Sequence, residues 1–109
     1  MTDKVAFTMK LKSRNLVDEY KQRHDDIWPE LATLLRERGI SDYSIFLDEN
    51  SLTLFAVQRL SSSKNNSSND QLRENEIMKR WWAHMADLME TNADQSPVTH
   101  PLKLVFHMD

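Results

Sequence analysis

An α+β fold, with four antiparallel strands covered on one face by two helices, is predicted by three observations. Short segments alternate apolar and polar residues at period two, longer segments carry apolar residues every three or four positions, and the order is β-α-β-β-α-β. The ferredoxin-like sandwich is the packing solution to that order, because each element then buries its single apolar face. The 109 residues are read as one domain, 1–109.

Residues 4–12 alternate Val5, Phe7, Met9 and Leu11 against Lys4, Ala6, Thr8, Lys10 and Lys12, which predicts a strand with one buried face. Ser13 stands where a helix N-cap belongs. Beyond it Leu16, Tyr20, His24, Ile27, Leu31 and either Leu34 or Leu35 share one helical face. Pro29 falls inside that run and forces a kink or a restart, since proline lacks an N–H and clashes with the preceding turn. Asp25 and Asp26 are placed to cap a restart, and Gly39, the only glycine, is placed to end the helix in a left-handed conformation.

Residues 42–48 and 52–60 read as a hairpin turned at Glu49-Asn50-Ser51. Residues 61–70 are polar, rich in serine and asparagine, and read as a mobile loop. A second helix carries Ile77, Met78, Trp81, Trp82, Met85, Leu88 and Met89 as one broad stripe. Lys103–Met108 is expected to be the last strand. Phe55 and Val57 alternate with Leu54 and Ala56, so both sheet faces are apolar. A face without helices then needs a second subunit, giving a homodimer of the dimeric α+β barrel type.

Composition narrows the function. With a net charge of −3 and acids and bases interleaved, no basic block exists to neutralise phosphates, so nucleic acid is not expected as a partner. The absence of cysteine removes thiolate nucleophiles and Cys-ligated zinc. No apolar run approaches the ~20 residues of a membrane span, and no signal peptide is read, so the cytoplasm is the expected compartment. No metal is expected from His24, His84, His100 and His107, which form neither an i, i+4 pair nor a His-x-His pair. A single glycine leaves no phosphate loop.

Three segments are distinctive in combination: Arg23-His24-Asp25-Asp26-Ile27-Trp28-Pro29-Glu30-Leu31, Asp42-Tyr43-Ser44-Ile45-Phe46-Leu47-Asp48, and Arg80-Trp81-Trp82. Ser96-Pro97-Val98 and Val105-Phe106-His107 follow in order. Together they resemble the L-rhamnose mutarotase family from the first strand to the last residues. Residues 61–76 depart from it, being longer and more polar than the usual approach to the tryptophan helix. The resemblance implies a homodimeric α+β barrel that interconverts α- and β-L-rhamnopyranose without metal or organic cofactor. It implies His24 as the proton donor and Tyr20, Tyr43, Trp81 and Trp82 as the residues that contact the sugar.

The residue types suit that chemistry. Mutarotation moves one proton onto the ring oxygen and one off the anomeric hydroxyl, and histidine exchanges protons near neutrality. Tyr20 and His24, four residues apart, are neighbours on one helical face. Trp81 and Trp82 project about 100° apart, so one is expected in the core and the other against the sugar. Spacing alone also accommodates a core-edge histidine, packed tyrosines and a core tryptophan stripe. Asp87 is a candidate hydroxyl acceptor or part of a solvated helix face, and His107 a candidate for lining the cavity. Two rival readings remain: a cofactor-free monooxygenase of the same barrel type, and a non-catalytic ligand-binding dimer. Oxygen consumption identifies the first, and sugar binding without anomer exchange identifies the second.

Overall fold

The computed structural model describes residues 2–61 and 74–109. Four strands, β1 (Thr2–Lys10), β2 (Ile40–Asp48), β3 (Thr53–Ser61) and β4 (His100–Leu102), form one sheet in the order β2-β3-β1-β4, antiparallel throughout. Helices α1 (Val17–Asp25), α2 (Pro29–Glu37) and α3 (Glu76–Met85) supply the apolar cover. The expected α+β class and order of elements along the chain are therefore present, with the first helix divided into α1 and α2. The polar loop read over 61–70 lies outside the described residues except for Ser61, which ends β3.

Period-two alternation produces the buried face. Met9 of β1 and Leu54 and Ala56 of β3 point into a cluster with Leu31, Met78, Trp81 and Met85. Phe55, between Leu54 and Ala56, is 37% exposed on the opposite face, directly across from Phe46, which is 66% exposed. The two-faced apolar character read in β3 is real, and among the described residues no element covers the outer pair.

The first helix begins differently from expectation. Ser13 makes no capping bond to the backbone; a short 3-10 turn, Arg14–Leu16, intervenes before α1. The Ser13 hydroxyl instead bonds the Asn15 side chain, a local contact that competes with capping. Pro29 does break the helix, as the first residue of α2, where its missing N–H costs nothing. Asp25 and Asp26 do not cap that restart: Trp28 holds the N-cap position in extended conformation, and the two carboxylates are taken by Lys21 and Gln22 one turn earlier. Gly39, at φ 87°, follows α2 in the left-handed region as expected.

Two departures shape the sheet. Between Ser41↔Arg59 and Ser44↔Val57, the two residues Asp42 and Tyr43 oppose Gln58 alone, a β-bulge with Asp42 at φ 47°. An ion pair from Arg59 Nε to Asp42 Oδ2, 3.2 Å, sits across it. The second departure is the last strand. The expectation of a strand over Lys103–Met108 is wrong: β4 is three residues long, its ladder with β1 stops at Ala6↔Leu102, and 103–109 run on exposed. Alternation of Leu104 and Phe106 with Val105 and His107 signalled extended chain, but extended chain is a strand only where a neighbour offers hydrogen bonds.

Candidate active site

A hollow of about 1280 Å³ lies between the helices and the inner sheet face. Tyr20, His24, Tyr43, Trp81 and Trp82 all line it. The sequence places these five on three separate elements, and each arrives for a local reason. One helical turn puts Tyr20 and His24 on the same side of α1, with ring centroids 4.4 Å apart and planes tilted by 35°. The bulge in β2 lets both Ile40 and Tyr43 face inward, which strict alternation over the odd interval between them forbids. The Asn75 side chain starts α3 by accepting the backbone N–H groups of Ile77 (2.8 Å) and Met78 (3.4 Å), and so sets the phase that carries Trp81 inward.

His24 has a defined tautomer in its neutral form. Its Nδ1 lies 3.1 Å from the carbonyl oxygen of Tyr20, which can only accept, so Nδ1 carries the hydrogen and Nε2 keeps a lone pair. Burial lowers the imidazole pKa below its ordinary value; the bond to the Tyr20 carbonyl and the Asp25 carboxylate oppose that shift without reversing it. The Trp81 indole meets the His24 ring edge-on at 5.4 Å. A neutral, oriented imidazole results.

Both phenols are held protonated. Desolvation raises the Tyr20 pKa, and the neighbouring Tyr43 adds to the rise. Desolvation raises Tyr43 as well, against a hydrogen bond from Gln58 that favours the phenolate. Tyr43 is 39% exposed as a residue, so the desolvation belongs to the end of the side chain that enters the hollow. Near neutrality each phenol therefore keeps its proton and is able to donate it in a hydrogen bond, and neither acts as a base.

The tryptophans divide as the helical geometry requires. Trp81 is buried, wedged between His24, Trp28 at 5.2 Å and His84 at 5.6 Å. Trp82 is half-buried at the wall of the hollow. Trp28 went unread as a contributor: it backs Trp81 in a T-shaped contact, and its four-residue spacing from His24 was the available signal. Gln58, which opposes both bulge residues, was also missed; its period-two spacing from the buried Leu54 and Ala56 was the available signal. Asp87 is absent from the lining; its carboxylate is taken by Arg23. His107 is absent too, exposed in the C-terminal segment with its Nε2 2.8 Å from Asp109. Among the described residues, no group of three or more His, Cys, Asp or Glu could hold a metal, and no helix is long and apolar enough to cross a membrane.

Comparison with known proteins points in one direction. The sequence profile of a family described as L-rhamnose mutarotase matches residues 4–108. The L-rhamnose mutarotase of Flavobacterium johnsoniae is 59% identical over 104 residues, covering 95% of this chain and 94% of that protein. That of Brucella anthropi is 53% identical over 106 residues, covering 97% and 96%. Among solved structures, an L-rhamnose mutarotase from Formosa agariphila superposes with a TM-score of 0.87 at 48% identity, covering 98% of this chain and 99% of that one.

Proposed function

The chain belongs to the L-rhamnose mutarotase family, and we propose that it works as an aldose 1-epimerase, an isomerase that interconverts the α and β anomers of L-rhamnopyranose without a cofactor. The observation that supports this reading most strongly is the convergence of one oriented neutral imidazole, two protonated phenols and two indoles on a single hollow.

The reaction balances on one nitrogen. His24 Nε2 takes the proton of the anomeric hydroxyl while the bond from C1 to the ring oxygen breaks and its electron pair stays on that oxygen. The imidazolium then gives the same proton to the ring oxygen, leaving the open-chain aldehyde and a neutral imidazole. Both oxygens are attached to C1, so a single nitrogen serves both. Rotation about the C1–C2 bond and the reverse sequence close the ring as the other anomer. Tyr20 and Tyr43 donate hydrogen bonds to sugar oxygens, and Trp82 offers its flat face to the C–H side of the ring. Trp81 holds the imidazole edge. Such acid–base positioning contributes roughly 10²–10⁴-fold, in keeping with the modest barrier of ring opening.

In the same reading the enzyme is a cytoplasmic homodimer. The outer face, with Phe46 opposite Phe55, and the exposed Leu104, Val105, Phe106 and Met108 of the C-terminal segment support a second copy as the cover. Saturation-transfer NMR on L-rhamnose tests the function: the protein exchanges anomers above the buffer rate and His24→Ala does not. Exchange by His24→Ala at the parent rate would remove the catalytic assignment. Sugar binding without exchange by the parent would turn the protein into the binding dimer. L-Fucose and D-galactose, run alongside, define the sugar preference.

A further inference from the structure

Arg23 precedes His24 in α1 and points away from the hollow, which it does not line. Its side chain is only 17% exposed, yet it makes four hydrogen bonds. One stays within α1: Nε donates to Glu19 Oε2 at 2.8 Å. Three cross to α3 and the residues just after it. Nη1 donates to the His84 carbonyl oxygen and, at 2.8 Å, to Asp87 Oδ1; Nη2 donates to Asp87 Oδ2 at 3.2 Å. The guanidinium plane thus grips a carboxylate with both arms, a fork that a lysine cannot reproduce.

The two segments it joins are those that carry the imidazole and the indole. His24 is the next residue after Arg23, and Trp81 lies one turn before His84. Their contact, edge to face at 5.4 Å, has no hydrogen bond of its own to fix it. Resting on the catalytic reading of His24, we propose that Arg23 and Asp87 are positioning residues, which set the separation of α1 from α3 and so hold the His24 imidazole where its Nε2 meets the sugar. A tie on the outer side of α1 leaves the inner side free for substrate, and its paired hydrogen bonds resist both sliding and rotation of the helix. An exposed single ion pair does neither and contributes little.

The test uses the full chain with Arg23→Lys, Asp87→Asn and the double variant, all mild enough to keep the fold. Anomer exchange at saturating L-rhamnose falls about tenfold or more in each single variant, while KM changes by less than about threefold, because misplacement by an ångström is costly to the chemical step. The double variant is no slower than the worse single one, since both remove the same tie. In the NMR spectrum the ring-current shift that Trp81 imposes on the His24 Cε1 proton moves in all three. A purely stabilising role lowers the unfolding temperature but leaves kcat and that shift in place at temperatures where every variant is folded. Parent-like kcat in Arg23→Lys and Asp87→Asn, an unmoved His24 signal, or additive losses in the double variant would overturn the proposal. His24→Ala, measured beside them, separates the two failures. If it retains exchange, the catalytic reading falls, and if it is inactive while the Arg23 and Asp87 variants are fast, only the clamp falls.

Discussion

The Tyr20 carbonyl oxygen accepts a hydrogen bond from His24 Nδ1 at 3.1 Å, while the two aromatic rings of the same pair face each other at 4.4 Å. Backbone and side chain of one residue therefore define the next residue on the helical face. The carbonyl sets the tautomer and aims Nε2 outward; the ring shields the imidazole from water. A proton carrier with one free nitrogen is what the proposed reaction asks of His24.

Substitutions at this pair separate the proton carrier from the hydrogen-bond donor. His24→Ala removes the only ring in the lining able to accept a proton near neutrality, and lowers kcat by roughly 10²-fold or more. Tyr20→Phe keeps the shielding ring and loses only the hydroxyl, so its loss of kcat is smaller. Anomer exchange on both variants ranks them, and a Tyr20→Phe enzyme slower than His24→Ala contradicts the division of roles.

The lowered pKa of His24 sets the direction of the pH dependence. In the proposed mechanism the neutral imidazole begins the reaction, so kcat/KM is expected to rise with pH through a value below the ordinary histidine pKa of about 6.5 and to be level across neutrality. Stability follows with the same sign. Below about 6.5 the unfolded chain binds a proton at His24 more readily than the folded one, so stability drops as pH falls from there through the folded pKa. A kcat/KM profile that declines from pH 5 toward pH 7, or a midpoint above the ordinary value, contradicts a desolvated general base.

Much of this site was legible before any coordinates. Tyr20 and His24 could be paired because helical spacing of four residues survives Pro29, whose break comes five residues after His24 and leaves α1 straight through both. Trp81 and Trp82 could be assigned different surroundings from the helical angle alone. The bulge that brings Ile40 onto the same inward face as Tyr43 was not legible. Asp42–Asp48 reads as an unbroken alternation, and what marks the extra residue is pairing with Gln58 on another strand. The end of the chain misled for a related reason. Residues 103–108 have strand composition, but pairing depends on what lies beside them, and β1 carries the ladder only to Ala6. Arg23 shows the same limit, since its partner Asp87 lies 64 residues away.

The two tryptophans differ in what their removal costs. Trp81→Ala empties a buried site that touches Trp28, His24 and His84, and destabilises by roughly 3–5 kcal/mol. Trp82→Ala leaves that packing in place and weakens sugar binding instead. Urea unfolding and titration with L-rhamnose, followed by fluorescence of the remaining tryptophans, measure both quantities. Greater destabilisation by Trp82→Ala, with unchanged sugar affinity, reverses the assignment.

The outer sheet face offers the last prediction. Phe46 and Phe55 stand directly opposite each other on adjacent strands, 66% and 37% exposed, in a register defined by the hairpin at Asp48 and Thr53. A pair of aromatic rings in water forfeits burial worth about 25 cal/mol per Å² of apolar surface, which a facing copy recovers twice over by two-fold symmetry. Phe46→Glu places a carboxylate on that apolar contact, where two copies would have to bury two of them. Because Phe46 points away from the helices, the substitution leaves the inner core and the hollow as they are. Light scattering after size exclusion therefore reads a dimer for the parent and a monomer for Phe46→Glu, with the far-ultraviolet spectrum unchanged. A parent that runs as a monomer at micromolar concentration, or a Phe46→Glu variant that stays dimeric, removes this face as the interface.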